Sequence, residues 1–372
     1  MTQLVDAPRA VRAGEELDAE KLCAFLQAGP VPTASSVAAL QFPSGHSNLT
    51  YLVSVQETDG STRELVLRRP PFGNRVKSAH DMGREYTILS ALHPIWPKVP
   101  RPVAHAEDES VLGAPFYLME RVRGTILRKK LPAGFAPDAA KLAALARSAI
   151  ETLVEIHTLD WAKTPLAKIG KPDGYVERQV TGWAKRFEDA KTEEIPAMGE
   201  LAAWLSKNLP TRRSAALIHN DFKYDNLVFD TEALIDPDAR HVPIRGVLDW
   251  EMATIGDPLM DLGTVLSYWV EAGDPAPFQT YTFGPTNVEG GPTRLDLLRL
   301  YEELRPGTVP DDMHFYYTFA LFKNAVVAQQ IYKRWSLGLT KDERFAAMIW
   351  GVKMLAEFGL EASRAPGGLG AR

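Results

Sequence analysis

The sequence predicts an α+β protein of two lobes, a small antiparallel-sheet lobe followed by a larger, mainly helical lobe. Two observations lead to this fold class. Short apolar runs separated by turn residues fill the first third of the chain, a spacing typical of strands joined by hairpins. After Pro137 the pattern changes to long runs with helical periodicity. We place the lobes at 1–122 and 123–372, with a strand-like hinge from Glu120 to Val122.

The first lobe is predicted to open with an amphipathic helix, because leucines recur at helical spacing before Gly29-Pro30. Strands follow, and Asp59-Gly60 is a turn signal between the second and the third. The predicted order is a helix at 15–27, strands at 37–42, 50–55 and 64–68, a helix at 84–92 and a strand at 116–122. This order suits a small antiparallel sheet.

The second lobe is predicted to be helical at both ends, with short strand-like runs in its middle. Apolar periodicity predicts helices at 139–157, 182–189, 201–209, 313–335 and 341–358. The apolar runs at 216–218, 227–229 and 247–250 are typical of short strands. Such strands would fix the ends of the loops between them.

Composition narrows the class of protein. The 372 residues are 45% hydrophobic and 24% charged, with a mean hydropathy of −0.17, as expected of a soluble globular chain. The net charge of −5 and a pI of about 6.0 argue against a nucleic-acid partner, because phosphate binding needs a basic excess. Cys23 is the only cysteine, so no internal disulfide can form. No signal pattern or membrane-length apolar run is present, and we expect a cytoplasmic protein without a membrane partner.

The most informative stretch reads H-x-D-x-x-x-x-N and runs from His219 to Asn226. A strand-like run ending at Asp249 follows it. This is the layout of a catalytic loop and a metal-binding strand end in kinase-type phosphoryl transfer. Asp221 can accept a proton from an attacking hydroxyl, so it is the candidate catalytic residue. Asn226 and Asp249 offer the hard oxygen ligands that Mg²⁺ takes, and His219 can hold the loop through backbone hydrogen bonds.

Phosphate transfer also needs donors over the phosphates, and a turn of small residues is the first candidate. Backbone N–H groups in such a turn can point at phosphate oxygens, although a plain hairpin turn explains the same residues. The residues of this candidate phosphate turn are Gly45, His46, Ser47 and Asn48.

A cation on the phosphates is the second requirement, and Arg68 is the candidate. Side chains alternate along a strand, so Arg68 shares a face with Val66 while Arg69 points to the other face. We expect Arg68 to reach the phosphates, Glu85 on the next helix to pair with it, and Arg69 to be dispensable. An ordinary surface arginine at a sheet edge is the alternative, because surface ion pairs are common.

These motifs together resemble the aminoglycoside phosphotransferase-like family, which has the protein-kinase-like fold. The chain is most similar to the branch associated with acyl-CoA dehydrogenases, over roughly 37–358. The resemblance implies ATP and Mg²⁺ as cofactors, Asp221 as base, Asn226 and Asp249 as Mg²⁺ ligands, and an adenine-contacting hinge from Glu120 to Val122. It also implies a functional association with an acyl-CoA dehydrogenase. The wider fold usually carries lysine where this chain has Arg68.

We therefore expect an ATP- and Mg²⁺-dependent phosphotransferase that acts on a hydroxyl of a small-molecule acceptor. Aminoglycosides are polycations that need a strongly acidic pocket, and a net charge of −5 is too mild to indicate one. The resemblance points instead to a hydroxyacyl thioester-type metabolite. A nucleotide-binding, pseudokinase-like partner module is one alternative. A metal-dependent hydrolase built on His219, Asp221 and Asp249 is another, although the sequence offers no further histidine cluster for a transition metal.

Several other residues have ordinary structural explanations. His157 closes a predicted helix, and a packed histidine is commoner there than a catalytic one. Asp257 precedes a proline at a predicted helix start, so we expect a cap, with Asp261 as a buried partner of the catalytic loop. The aromatic run from 315 to 322 suits a core. Lys323 can contact an anionic substrate or lie on a solvated helix edge.

Overall fold

The computed structural model describes residues 7–42, 48–71, 81–129, 131–132, 135–340, 342–365 and 369. It confirms the α+β class, because a five-stranded antiparallel sheet accompanies many helices. Within these residues the strands are β1 (Ala34–Gln41), β2 (Leu49–Glu57), β3 (Thr62–Arg69), β4 (Pro102–Ala106), β5 (Phe116–Glu120), β6 (Ala216–Ile218), β7 (Leu227–Phe229), β8 (Ile244–Val247) and β9 (Thr254–Gly256).

Helices begin where the sequence offers capping side chains; Asp138, for instance, accepts a hydrogen bond from the Lys141 N–H at the start of the long fourth helix. The helices are α1 (Ala19–Ala28), α2 (Met82–Leu92), α3 (Glu109–Leu112), α4 (Ala139–Thr158), α5 (Tyr175–Ala190), α6 (Pro196–Lys207), α7 (Thr231–Ile235), α8 (Pro258–Tyr268), α9 (Ala276–Gln279), α10 (Arg294–Leu304), α11 (Met313–Ser336) and α12 (Met348–Arg364). Along the described chain, no helix combines the length and the apolar character that crossing a membrane requires.

The chain forms two compact units. The first unit comprises Met1–Ile126, Asn226–Ile235 and Pro243–Glu251. Its sheet has the order β1-β2-β3-β5-β4, and α1 packs on a core of sheet residues such as Leu65 and Phe116. The ribbon β7–β8 belongs to the same unit, and Thr125 pairs with Phe229 of that ribbon. Gly124 lies so close to the Phe229 carbonyl that any side chain there would collide with it.

The second unit comprises Leu127–Asp225, Asp236–Val242 and Met252–Arg372. It is helical except for the short antiparallel pair β6–β9, in which Ala216 faces Gly256. The aromatic run of α11 is buried as predicted; Phe315, Tyr316 and Phe322 are almost completely inaccessible. Apolar packing of this helix therefore forms much of the core of the second unit.

Three predicted elements differ from the structure. The strand β4 was not expected, because its residues Pro-Val-Ala-His-Ala form strands weakly. The strand predicted to reach Val122 ends at Glu120. The last helix begins at Met348, after a short 3₁₀ turn at Glu343–Ala347, and not at 341.

Candidate functional site

The ribbon β7–β8 holds the two candidate metal ligands of the first unit. Leu227 pairs with Val247, and the Leu248 N–H donates to the Asn226 carbonyl at 2.8 Å. Asn226 therefore lies at one end of the ribbon, beside the strand that runs on to Asp249. Asp249 adopts a left-handed backbone with φ of 67°, a conformation that non-glycine residues rarely take except aspartate and asparagine. Such a conformation is often retained where it positions a functional side chain.

Arg68 binds the carboxylate of Asp249 and also that of Glu85. Its guanidinium lies 2.7 Å from Glu85 Oε1, 3.0 Å from Asp249 Oδ1 and 3.8 Å from Glu251 Oε2. The expected ion pair between Arg68 and Glu85 is present, and Arg68 is only 8% exposed. We call Arg68, Glu85, Asp249 and Glu251 the arginine cluster.

Electrostatics of the arginine cluster favour a permanent cation at Arg68. Burial alone lowers the pKa of Arg68, but Glu85, Tyr117 and Asp249 raise it well above its ordinary value. Burial raises the pKa of the Glu85 carboxyl, and Arg68 opposes that rise. Glu85 also accepts the Trp250 N–H at 3.1 Å, which ties α2 to the chain directly after Asp249. The cluster is thus a fixed arrangement rather than a loose surface pair.

Arg69 is not the dispensable residue that strand alternation predicted. It is 2% exposed and donates to the Leu112 carbonyl at 2.8 Å and the Pro70 carbonyl at 3.3 Å. The opposite face of β3 is covered as well, because the residues from Leu65 to Arg69 are all buried. Arg69 therefore supports the fold, and its replacement would leave a buried carbonyl without its donor.

The candidate phosphate turn is described at Asn48 alone; Gly45, His46 and Ser47 lie outside the described residues. Asn48 is buried, and its Nδ2 donates to Glu251 Oε2 at 2.9 Å. Asn48 is therefore connected to the arginine cluster through Glu251.

The two hinge candidates lie at the end of β5. The Glu120 N–H donates to the Arg101 carbonyl at 2.8 Å. Val122 packs against Gly246 of β8, where a side chain would collide with its methyl groups. The backbone from Glu120 to Val122 is therefore held between its neighbours in the first unit.

The donor set of the first unit fits Mg²⁺. Asp249 contributes a carboxylate and Asn226 an amide oxygen, and Mg²⁺ in nucleotide sites commonly takes one or two protein ligands besides phosphates and waters. Among the described residues no group of three or more His, Cys, Asp and Glu side chains is arranged as a metal cage.

Asp221, in the second unit, is clamped by two side chains. Lys223 Nζ lies 2.8 Å from each carboxylate oxygen, and the Tyr268 hydroxyl donates to Oδ1 at 2.8 Å. The Lys223 ammonium also lies 4.9 Å from the ring centroids of both Tyr268 and Phe283, within cation–π range. Burial opposes ionisation of Asp221, yet Lys223, His219 and Tyr268 hold its pKa below the ordinary value. Asp221 is thus an ionised acceptor at neutral pH.

The backbone before Asp221 is held by Asp261. The Asp261 carboxylate is fully buried and accepts the N–H groups of His219 at 2.6 Å and Asn220 at 2.7 Å. His157 Nε2 donates to it at 3.2 Å, which confirms a packing role for this histidine. The expected roles of Asp261 as a buried partner and of Asp257 as a helix cap are both confirmed, since Asp257 accepts the Leu259 N–H.

These bonds fix Asn220 in an unusual conformation. Its φ is 64°, and its Nδ2 donates to the Met252 carbonyl at 3.0 Å. The Asp221 N–H donates to His219 Nδ1 at 3.2 Å, as expected of a histidine that shapes this loop. The Asp221 side chain therefore leaves a rigid turn.

The comparisons with known proteins agree with this geometry. Residues 38–298 match the sequence profile of the phosphotransferase enzyme family. The chain belongs to this family. Acyl-CoA dehydrogenase family member 11 of Gallus gallus is 35% identical to the phosphotransferase chain over 353 residues. The alignment covers 92% of the chain and 42% of that relative, so the chain spans less than half of the relative's length.

Two solved structures establish the kinase-like fold of this phosphotransferase. A proposed aminoglycoside phosphotransferase of Ralstonia eutropha is 28% identical with a TM-score of 0.75, over 94% of this chain and 99% of that one. An ADP-bound aminoglycoside phosphotransferase is 16% identical with a TM-score of 0.53, over 93% and 99%. The predicted family and fold are confirmed, and together they indicate small-molecule kinase activity.

Three residues beside Asp221 were not among the predicted site residues. Lys223 occupies a variable position of the motif, and Tyr268 lies 47 residues away at the end of α8, so neither carried a sequence signal. Lys323 was weighed as a solvated helix edge; the structure corrects this, because Lys323 is 4% exposed.

Proposed function

We propose that the phosphotransferase transfers the γ-phosphoryl group of ATP to a hydroxyl of a small molecule, with Mg²⁺ as the required metal. The observation that carries this proposal is the ionised Asp221, held by Lys223 and Tyr268 on a rigid turn. A carboxylate so positioned can orient an acceptor hydroxyl and take its proton.

The step conserves atoms and charge. The acceptor oxygen forms a bond to the γ-phosphorus, and the bond from that phosphorus to the β–γ bridging oxygen breaks, which releases ADP. The hydroxyl proton passes to Asp221. Lys223 lies on the same carboxylate and stabilises its charge before the proton arrives.

The first unit supplies the nucleotide side of the proposal. Asp249 and Asn226 would hold Mg²⁺, which neutralises phosphate charge when bound. Arg68 would clamp phosphate oxygens, since a guanidinium fork can bond them in pairs and Glu85 fixes its position. The turn from Gly45 to Asn48 would donate backbone N–H groups. The hinge between Glu120 and Val122 would contact the adenine; these roles remain predictions.

The acceptor class and the cellular setting are further parts of the proposal. The relationship to acyl-CoA dehydrogenase family member 11 supports a hydroxyacyl thioester-type acceptor and a functional association with an acyl-CoA dehydrogenase. We place the reaction in the cytoplasm. The assignment of nucleotide binding to 1–122 and of acceptor binding to 123–372 stays a prediction.

Turnover of purified protein tests the proposal. The protein is incubated with ATP, Mg²⁺ and a panel of hydroxylated metabolites that includes hydroxyacyl thioesters, and ADP and the phosphorylated product are measured by mass spectrometry. We expect transfer that needs Mg²⁺ and that Asp221→Asn removes. ATP binding without transfer to any acceptor, or zinc-dependent hydrolysis in place of transfer, would overturn it.

One observation favours a second candidate, a nucleotide-binding partner module. Arg68 donates to Asp249 as well as to Glu85, so two of its donors are engaged by carboxylates. In such a module Arg68 would remain on Asp249 in the presence of nucleotide, and the protein would bind ATP without consuming it. The turnover experiment separates the two candidates.

A further inference from the structure

A cavity opens in the second unit beside the catalytic loop. Its volume is about 290 Å³, close to the lower end for small-molecule sites. Asn220, the residue before Asp221, forms part of its wall, and the aromatic side chains of Trp183 and Phe319 form another part. The cavity therefore adjoins the predicted base and offers both apolar and polar surface.

The charged side chains of this cavity are all basic. Arg186 of α5 and Lys323 of α11 line it, and no Asp or Glu appears in its lining among the described residues. The Arg186 guanidinium lies 4.5 Å from the Trp183 ring centroid, which holds the exposed cation over the cavity wall. A polycationic acceptor is disfavoured by such a lining, because like charges repel.

Lys323 is a buried cation with unused donor capacity. It is 4% exposed, and its Nζ donates to the Asn220 carbonyl at 2.8 Å. An ammonium has three donors, and this bond uses one. Burial lowers the pKa of Lys323 to about 8, although Asp221 and Asp261 raise it. An anion in the cavity would offset this cost of burying the charge.

We infer that this cavity binds the anionic group, a carboxylate or a phosphate, of the hydroxyl-bearing acceptor, with Arg186 and Lys323 as the residues that select it. This inference rests on the proposed function and deepens it by naming the charge class of the acceptor. Lys323 binds the loop carbonyl and faces the cavity, so an acceptor held there lies beside the turn that carries Asp221.

A charge-matched set of acceptors tests the inference. The set contains the positional isomers of hydroxyhexanoate, the same isomers as amides, as amino alcohols and as hydroxyhexyl phosphates. Transfer from Mg²⁺-ATP is followed through ADP release. We expect the anionic members to be preferred over the amides and the amino alcohols by about tenfold or more in kcat/KM. Preference for the amides or the amino alcohols would overturn the inference, and the two anionic arms distinguish carboxylate from phosphate.

Matched variants locate the selectivity. Arg186→Gln should raise KM for the anionic acceptor about tenfold and leave KM for ATP unchanged. Lys185→Gln is the control, because Lys185 lies next to Arg186 on α5 but pairs with Asp189 in solvent. Lys323→Met extends the test to the buried cation. An unchanged acceptor KM in Arg186→Gln would overturn the inference even if Lys323→Met does not fold.

Direct binding separates this inference from the proposed function. Hydroxyhexanoate and hydroxyhexyl phosphate are titrated into the protein without ATP and followed by ligand-observed NMR. Binding that Arg186→Gln weakens supports the anionic cavity even if no acceptor is phosphorylated. Transfer to neutral acceptors without anion binding would leave the kinase proposal standing and overturn the cavity assignment.

Discussion

The arginine cluster of the first unit and the surroundings of Asp221 in the second unit are built alike but carry opposite charge. Each places a cation 2.7 to 3.0 Å from a carboxylate that the proposed chemistry needs. In the arginine cluster, one guanidinium faces three carboxylates. At Asp221, one carboxylate is bound by Lys223, and Lys323 donates to the backbone of the preceding residue.

This difference indicates what each region can hold. A surplus of carboxylates attracts a divalent cation, so the arginine cluster suits Mg²⁺ carried with a nucleotide. A surplus of ammonium groups attracts an anion and keeps Asp221 ionised. The two regions would therefore respond differently to substitution, the first mainly in nucleotide affinity and the second mainly in turnover and in acceptor choice.

The largest expected effect is at Asp249. Asp249→Asn should abolish Mg²⁺-dependent nucleotide binding while the fold persists, because the amide removes the charged ligand and keeps the shape. Isothermal calorimetry with Mg²⁺-ATP measures the affinity, and circular dichroism checks the fold. Parent-like affinity in the variant would show that the strand end is not the metal site.

Asp221 should show the contrasting result. Asp221→Asn should lower kcat by on the order of 10²-fold or more and leave the nucleotide affinity near that of the parent, because this residue acts on the acceptor. Steady-state turnover and nucleotide calorimetry on the same preparation give both values. A variant that loses ATP binding but retains full turnover at saturation would break the assignment of the two roles.

Arg68 sharpens the comparison within the first unit. Arg68→Ala should weaken nucleotide binding or lower turnover by about 1.5–3 kcal/mol, as typical of a charge-assisted contact. Arg68→Lys should retain part of the activity, because the charge remains and the planar fork is lost.

The control for Arg68 is Arg63→Ala. Arg63 lies on the same strand, and its side chain is 44% exposed, whereas Arg69 is buried and unsuitable. Equal affinity and turnover in Arg68→Ala and the parent would contradict the clamp and favour the partner module.

The smallest effect concerns pH. Lys323 faces Asp221, Asp261, Lys223 and Arg186, and burial lowers its pKa to about 8. It is a cation below that pH and neutral above it, so KM for an anionic acceptor should rise severalfold as the pH increases through about 8. Lys323→Met should flatten this rise. A pH-independent acceptor KM in the parent between pH 7 and 9 would show that Lys323 does not contact the anion.

Much of the fold and part of the site could be predicted from the sequence because local patterns specify them. Alternation along β3 placed Arg68, and the next helix supplied Glu85. The role of Asp261 as a buried partner of the catalytic loop was also predictable. The roles of the predicted site residues in catalysis and binding stay predictions.

Other features depend on long-range packing and left no local signal. Lys323 was ambiguous because α11 is buried around most of its circumference, so hydrophobic periodicity does not mark a solvent face. Arg69 was misjudged because alternation tells which residues share a face, not whether that face is covered. Tyr268 reaches Asp221 only through the packing of α8.

The division of the first unit along the chain has a consequence for its folding. Asn226–Ile235 and Pro243–Glu251 belong to this unit, although about a hundred residues of the other unit precede them. During synthesis the sheet can form early, but the ribbon that pairs with Thr125 emerges only after residue 251. Completion of the unit therefore waits for most of the chain, and a fragment of 1–126 would expose surfaces that the ribbon normally covers.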